Sequence, residues 1–354
     1  MKLIIKIIIV FIVALSILLL YKELTSGRTR PIRDEKGQVI SDSIAVLEKI
    51  ELGGIEQWIL IRGRSIANPI LLWLHGGPGA AQMPTAYRFN SVLEDEFIVV
   101  HWDQRGAGKS NSPEFDEKTM TVQQFINDTR ELTEYLTTRF GQDKIYLAGH
   151  SWGSQIGILT VYNHPEHYYA YIGISQLVDP REAQKLAYPW LEEQIELNNN
   201  KKDRQTLEKL GQPYYSAHSD YVTFAGLIDN YGGNMDIGMG KLALVALKSP
   251  EYRLRDYYAW LQGATRGSGP MWEESQAFNA FEDVPSLNVP VYFFSGEKDR
   301  NTPLELVHRY FSLIDAQEGK EIVIFENSAH TPYMAEPDKF NRELIRVKKE
   351  IRTY

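Results

Sequence analysis

Ile145-Tyr146-Leu147-Ala148 runs straight into Gly149-His150-Ser151-Trp152-Gly153. An apolar, strand-like run followed by G-x-S-x-G and then a helix-like stretch is the sequence form of a serine held on a sharp strand-to-helix elbow. Such a turn forces the serine into an unfavourable backbone conformation and leaves no room for a Cβ on its neighbours, which accounts for the two glycines. Upstream, Pro69-Ile70-Leu71-Leu72-Trp73-Leu74 reads as a buried strand ending in His75-Gly76-Gly77-Pro78-Gly79, a loop suited to presenting backbone N–H groups. A tetrahedral intermediate carries a negative oxygen, so acyl transfer needs fixed donors aimed at it. The N–H groups of Gly77 and of Trp152, the residue after the serine, are the candidates for this oxyanion hole.

Two further strands bring the remaining chemistry. Residues 289–296 are apolar and are followed by Glu297-Lys298-Asp299, and residues 322–325 run into Glu326-Asn327-Ser328-Ala329-His330. The order Ser151, Asp299, His330, each just past a strand, is that of an α/β-hydrolase triad. His330 would take the Ser151 proton and return it to the leaving group, while Asp299 would fix the imidazole tautomer and stabilise the imidazolium. The chain has eight histidines. His75 and His150 belong to the two motifs, His101 sits at a strand end before Trp102, and His308 falls in a helical pattern, so only His330 has the expected place. Glu297 and Asp179 are rival acids. Asp299 is preferred because a residue deeper in the loop reaches the histidine side of the site.

Together, HGGPG at residues 75–79, DQRGAGKS at 103–110, GHSWGS at 149–154, SGEKD at 295–299 and NSAH at 327–330 resemble the proline iminopeptidase family of α/β-hydrolases, the S33 peptidase group. The resemblance spans about residues 52–340. It implies a mostly parallel, doubly wound sheet with an inserted helical cap, an oxyanion hole at Gly77 and Trp152, and structural roles for Asp103 and Arg105. It also implies release of N-terminal residues, proline first, from short peptides. Members of that family hold the substrate α-amine with cap glutamates, one of them in a Trp-x-x-Trp-Glu context that this chain lacks. Glu192, Glu193, Glu273 and Glu274 stand near the expected cap regions as substitute substrate-binding candidates. A carboxylesterase or lactonase would use the same triad, and a ligand-binding receptor on the same fold would keep the cavity without turnover.

The organisation along the chain supports this outline. Residues 3–20 are apolar apart from Lys6 and Ser16 and would span about 27 Å as a helix, close to the roughly 30 Å of bilayer hydrocarbon. No small-x-small cleavage pattern follows, so an uncleaved anchor over residues 1–21 is expected rather than a signal peptide, with a polar linker over 22–40. Basic residues stand on both sides of it, and its short head places the catalytic domain on the extracytoplasmic side. Strand-like runs around Gly53-Gly54 suggest a hairpin. Helix and strand patterns alternate through residues 41–176, including a helix over 122–140, and resume over 281–354. Between 174 and 290 lie about 115 residues, where a strand-helix-strand unit needs roughly 30. The excess, residues 177–280, is read as a helical cap with helices near 181–197, 201–210 and 252–261, rich in aromatic residues that roof a small apolar pocket.

The net charge of −8 and the absence of cysteine point away from nucleic acid and from disulfides. No metal or cofactor motif is present. The expected partners are a small-molecule or short-peptide substrate and, through the N-terminal helix, a membrane.

Overall fold

The computed structural model describes residues 2–112, 116–267 and 269–351. Eight strands form one sheet: β1 (Ile44–Leu52), β2 (Ile55–Gly63), β3 (Ile70–Leu74), β4 (Ile98–Asp103), β5 (Ile145–His150), β6 (Tyr168–Ile174), β7 (Val291–Gly296) and β8 (Lys320–Phe325). Their spatial order is β1-β2-β4-β3-β5-β6-β7-β8. β1 and β2 pair antiparallel, as do β2 and β4, and every pairing from β4 through β8 is parallel. The β1–β2 hairpin closes over Gly53 and Gly54, both at positive φ (54° and 76°). A two-residue turn of that hand follows the strand twist and suits glycine.

β3, β4, β5 and β7 are buried along their whole length, as expected for strands covered on both faces. Successive residues of β3 alternate between two cores. Ile70, Leu72 and Leu74 join one, with Phe125, Ile156 and Leu306. Leu71 and Trp73 join the other, with Phe89, Phe340 and Leu344. The helices that supply these layers include α2 (Met83–Phe89), α3 (Val122–Phe140) and α4 (Trp152–Asn163). Thr121 caps α3 by accepting from Gln124 N at 3.1 Å, as Ser/Thr caps do.

Between β6 and β7 lies the cap: α5 (Pro180–Leu197), α6 (Lys201–Leu210), α7 (His218–Asn230), α8 (Met239–Ala246), α9 (Leu254–Arg266), α10 (Trp272–Gln276) and α11 (Ala280–Asp283). After it come α12 (Leu304–Leu313), α13 (Pro332–Ala335) and α14 (Pro337–Ile351). Part of the cap has a core of its own, in which Tyr188, Leu191, Tyr215 and Phe224 pack together.

Arg105 and Asp128 form a fully buried ion pair at 3.0 Å, and Arg105 also donates to the Gly53 carbonyl at 3.1 Å. This joins the loop after β4 to α3 and to the hairpin. Asp103 accepts from Lys109 N at 2.8 Å and from the Tyr252 hydroxyl, and its other oxygen has no partner. Burial pushes the Asp103 carboxyl up to about 7 despite these bonds.

At the N-terminus, α1 (Lys2–Thr25) contains one stretch, Ile4–Thr25, long and apolar enough to cross a membrane. Its described side chains stand clear of the domain through residue 21. The expected linker differs from a free tether: Gly27 N and Arg28 N both donate to the Pro250 carbonyl, at 2.8 and 3.2 Å, and Ser26 is buried.

Candidate active site

Ser151 sits between β5 and α4 at φ 54°, ψ −119°, a conformation that costs a non-glycine residue about 1–3 kcal/mol. Its N–H donates to the Ile174 carbonyl at 3.0 Å, which ties the elbow to the end of β6. The flanking glycines are required by contact. A Cβ on Gly153 would lie 2.3 Å from the Leu74 carbonyl oxygen, and one on Gly149 would lie 2.2 Å from that of Gly153. The end of β3 is thereby pressed against the start of α4.

The HGGPG loop lies directly beside the serine: a Cβ on Gly76 would come within 3.2 Å of the Ser151 Cβ. His75 is fully enclosed and holds this loop rather than acting on a ligand. Its Nδ1 donates to the Gly76 carbonyl at 2.8 Å and its Nε2 accepts from Gln104 N at 3.1 Å. Burial lowers it to about 4, so it is neutral. The Gln104 side chain donates to the His75 carbonyl at 3.0 Å and accepts from the Trp152 indole at 3.3 Å. Gln104 therefore joins the two segments that carry the expected oxyanion donors. Gly77 lines the cavity at Ser151, and Trp152 opens α4, where backbone N–H groups lack intrahelical partners.

Asp299 and His330 meet at the ends of β7 and β8. His330 Nδ1 lies 2.8 Å from Asp299 Oδ2. The acid is fully buried and accepts from Asn301 N and Thr302 N at 2.8 Å each, and from the Thr302 hydroxyl at 2.6 Å. Burial alone would raise the Asp299 carboxyl, but the adjacent His330 ring and the Thr302 bonds outweigh it and hold the group below the usual carboxylate range. The rival acids lie elsewhere. Glu297 is exposed, and Asp179 caps α5 through Arg181 N and Glu182 N. Among the other histidines, His101 is buried against Trp73, and His308 is exposed on α12.

Several residues outside the expected site hold this arrangement. The cap segment before α8 reaches back to the loops that carry His330 and Asp299: Asn234 O accepts from His330 N at 2.9 Å, and Gly233 O from Arg300 N at 2.8 Å. Asp236 accepts from Ala329 N at 2.6 Å, Thr331 N at 2.8 Å and the Thr331 hydroxyl at 2.9 Å, clasping His330 from both sides. His150 joins the serine and histidine loops, its Nε2 donating to the His330 carbonyl at 2.8 Å. Its Nδ1 accepts from Gln82 at 2.9 Å, and burial lowers the ring to about 3. Asn301 places its amide nitrogen 3.2 Å from His330 Nε2, and its carbonyl accepts from the Tyr221 hydroxyl of α7 at 2.6 Å.

Ser151, His330, Asn301 and Gly77 share a cavity of about 310 Å³ whose walls are otherwise mainly apolar, with Met235, Met239, Leu242, Trp260 and Leu261 from the cap and Tyr333 and Met334 from the core. No carboxylate lines it among the described residues. Glu192, Glu193, Glu273 and Glu274 are exposed, and Glu274 accepts from Val122 N at 3.1 Å, at the start of α3. The structure does not bring these four glutamates to the serine, because their helices turn other faces inward. Among the described residues no group of histidines and carboxylates is arranged to hold a metal ion.

Residues 69–337 match the family model of the alpha/beta hydrolase fold. A probable aminopeptidase of Bacillus subtilis (strain 168), YbaC, is 36% identical over 307 residues, covering 86% of this chain and 96% of that protein. The chain belongs to the α/β-hydrolases of the proline iminopeptidase family. A proline iminopeptidase of Heyndrickxia coagulans is 23% identical to this hydrolase over 274 residues, 77% of this chain and 88% of that protein. Among solved structures, a membrane phospholipase A described as a bacterial virulence factor shares the fold, with a TM-score of 0.63 at 18% identity. The match covers 100% of this hydrolase and 99% of that chain.

Proposed function

We propose that this enzyme is a serine hydrolase that cleaves small esters or amides with an uncharged, apolar acyl portion through an acyl-enzyme on Ser151. The observation that carries this reading is that His330, paired with a buried Asp299 behind it, shares an apolar cavity with a serine on a strained elbow, with no carboxylate among its described lining residues. Ser151 Oγ attacks the carbonyl carbon as His330 Nε2 takes its proton. The Gly77 and Trp152 N–H groups stabilise the oxyanion, and His330 then protonates the leaving group. Water activated by the same imidazole clears the acyl group. Asp299, ionised and held by four donors, keeps the proton on Nδ1 so that Nε2 remains the base.

An aminopeptidase acting on short peptides, proline first, is the second reading. It is favoured by the name of the 36% identical relative and by the family. It requires a partner for the substrate ammonium, which the described cavity walls do not provide as a charge. We further propose that α1 anchors the enzyme in a membrane with the catalytic domain on the extracytoplasmic side; its apolar length supports the anchor.

The test compares kcat/KM for a short-chain aryl ester and for a proline anilide, each against Ser151→Ala. Ester turnover that disappears in the variant, with little anilide cleavage, is the expected result. Efficient Ser151-dependent anilide cleavage would establish the aminopeptidase, and Ser151-independent turnover would overturn both readings.

A further inference from the structure

The lower end of α1 is bound to the cap at the helix that walls the cavity. Glu23 accepts from Leu254 N, the first residue of α9, at 2.9 Å. Lys22 donates to the Ser249 carbonyl and lies 5.7 Å over the Tyr257 ring. Arg253 Nε donates to Ser26 O at 3.2 Å. Glu23 is three residues past Leu20, the last residue of the apolar run, so α1 meets the start of α9 about 5 Å along its axis beyond the end of that run.

From there, α9 and α8 present an apolar face to the outside around the cavity mouth. Met239 and Leu261 both line the cavity, yet are 57% and 52% exposed, which marks them as its rim. Leu244 on α8 is 63% exposed and Tyr258 on α9 is 68% exposed. The two helices adjoin, since the Tyr257 hydroxyl donates to the Ala246 carbonyl at 2.6 Å. Cations border the face: exposed Lys241 and Lys248 stand on either side of Leu244 in sequence, and exposed Arg28 belongs to the segment bonded to Pro250. Its nearby acids are engaged, Asp256 with Lys109 at 2.6 Å and Glu251 with Thr29 and Ser249.

We propose that the exposed face of α8 and α9 rests on the surface of the bilayer that α1 enters, so that the Ser151 cavity opens toward lipid and takes membrane-partitioned acyl substrates. Apolar side chains flanked by lysine and arginine, with an exposed tyrosine, are the composition of an interfacial surface on anionic lipid. The attachment of α1 fixes the distance. Tyr258 lies one turn into α9, so with α9 pointing straight away from the membrane and Leu254 level with Glu23 it would stand about 11 Å above the end of the apolar run. A protein partner would have to fit into this same space beside the bilayer. The proposal rests on α1 as an anchor and, for its substrates, on Ser151 as the nucleophile.

The chain has no cysteine, so single labels report cleanly. Full-length protein in nanodiscs of phosphatidylcholine and phosphatidylglycerol would carry a nitroxide at Leu244→Cys or Tyr258→Cys. Ile12→Cys would serve as the immersed control and Glu318→Cys, exposed beyond the opposite end of the sheet, as the aqueous one. The expected result is an oxygen-over-nickel accessibility ratio at 244 and 258 several-fold above that at 318, with 12 higher still. Aqueous values at 244 and 258 beside an immersed 12 would overturn the docking, and an aqueous 12 would remove the anchor itself. Dipolar coupling between labels at 258 on two copies would show that a second chain covers the face instead, also overturning it. Fluorophosphonate labelling of Ser151 in the same discs tests the nucleophile separately, so failure of that reading is distinguishable from failure of the docking.

Discussion

Replacing Asp236 tests whether the cap sets the position of His330, the proposed base. Its carboxylate receives two backbone N–H groups and one hydroxyl from the residues on either side of His330. Asp236→Ala strands all three donors. A hydrogen bond to a charged group is worth about 1.5–3 kcal/mol, and a buried unpaired donor costs about 1–3 kcal/mol. Asp236 is only half-buried, so water can replace part of the loss, which places the local cost near the lower end, about 1 kcal/mol per donor and about 3 kcal/mol for the three. One direct anchor remains at the His330 backbone N–H, the bond to Asn234 O, so the loop should shift rather than unfold. Displacement of a catalytic group by about 1 Å typically costs about 100-fold in rate. The assay is the second-order rate of fluorophosphonate labelling at Ser151, which needs no knowledge of the natural substrate, together with kcat and KM for an aryl ester. The expected outcome is a fall of roughly 100-fold in both labelling rate and kcat, with KM little changed. Asp236→Asn, which keeps one acceptor oxygen, should fall between. A variant that labels within about two-fold of the parent while the bonds are gone would refute the reasoning, since a shift of the base cannot leave the rate intact.

Other outcomes follow from the same structure. Arg105→Met leaves Asp128 buried without its cation and should destabilise the fold by about 3 kcal/mol, read as a lower denaturant midpoint at unchanged slope. Asp103 has a folded-state value raised to about 7 from 3.8, so it binds a proton in the native state where the unfolded chain has lost it. Its stabilisation is full below about pH 4 and is lost as pH rises to 7, by an amount on the order of 4 kcal/mol. Asp103→Asn should flatten that slope in denaturation curves taken from pH 5 to 8, and an unchanged slope would count against it. Gly153→Ala places a methyl against the Leu74 carbonyl and should abolish fluorophosphonate labelling; labelling at the parental rate would contradict the contact.

The sheet and the placing of Ser151, Asp299 and His330 at strand ends were legible because each is written locally. Apolar runs of four to eight residues marked β3, β5, β7 and β8, and the elbow glycines flanked Ser151 with no tertiary information needed. The helix expected at 122–140 coincides with α3. The braces of the site were not legible. Asp236, Asn234 and Tyr221 reach the catalytic loops from cap segments distant along the chain, and a lone Asp or Asn in a loop carries no pattern that announces its partner. Gln104 and Gln82 carry no signal for the same reason, although Gln104 lies inside the DQRGAGKS motif. The cap helices α7 and α8 went unread because the glycines at 232, 233, 238 and 240 suggest breaks; Gly240 lies in the first turn of α8, where the structure tolerates it. The glutamates at 192, 193, 273 and 274 illustrate the converse. They lie on α5 and α10, but a helix face cannot be assigned inward from charge alone, and these side chains face out.

The most direct test of Ser151 as an acyl-accepting nucleophile is intact-protein and peptide mass spectrometry after brief reaction with a fluorophosphonate and, separately, with an aryl ester at low pH to trap the acyl-enzyme. A single adduct on the peptide carrying Ser151, absent from Ser151→Ala and slowed in His330→Ala, is the predicted result. An adduct on another residue, or ester turnover that survives Ser151→Ala, would contradict it.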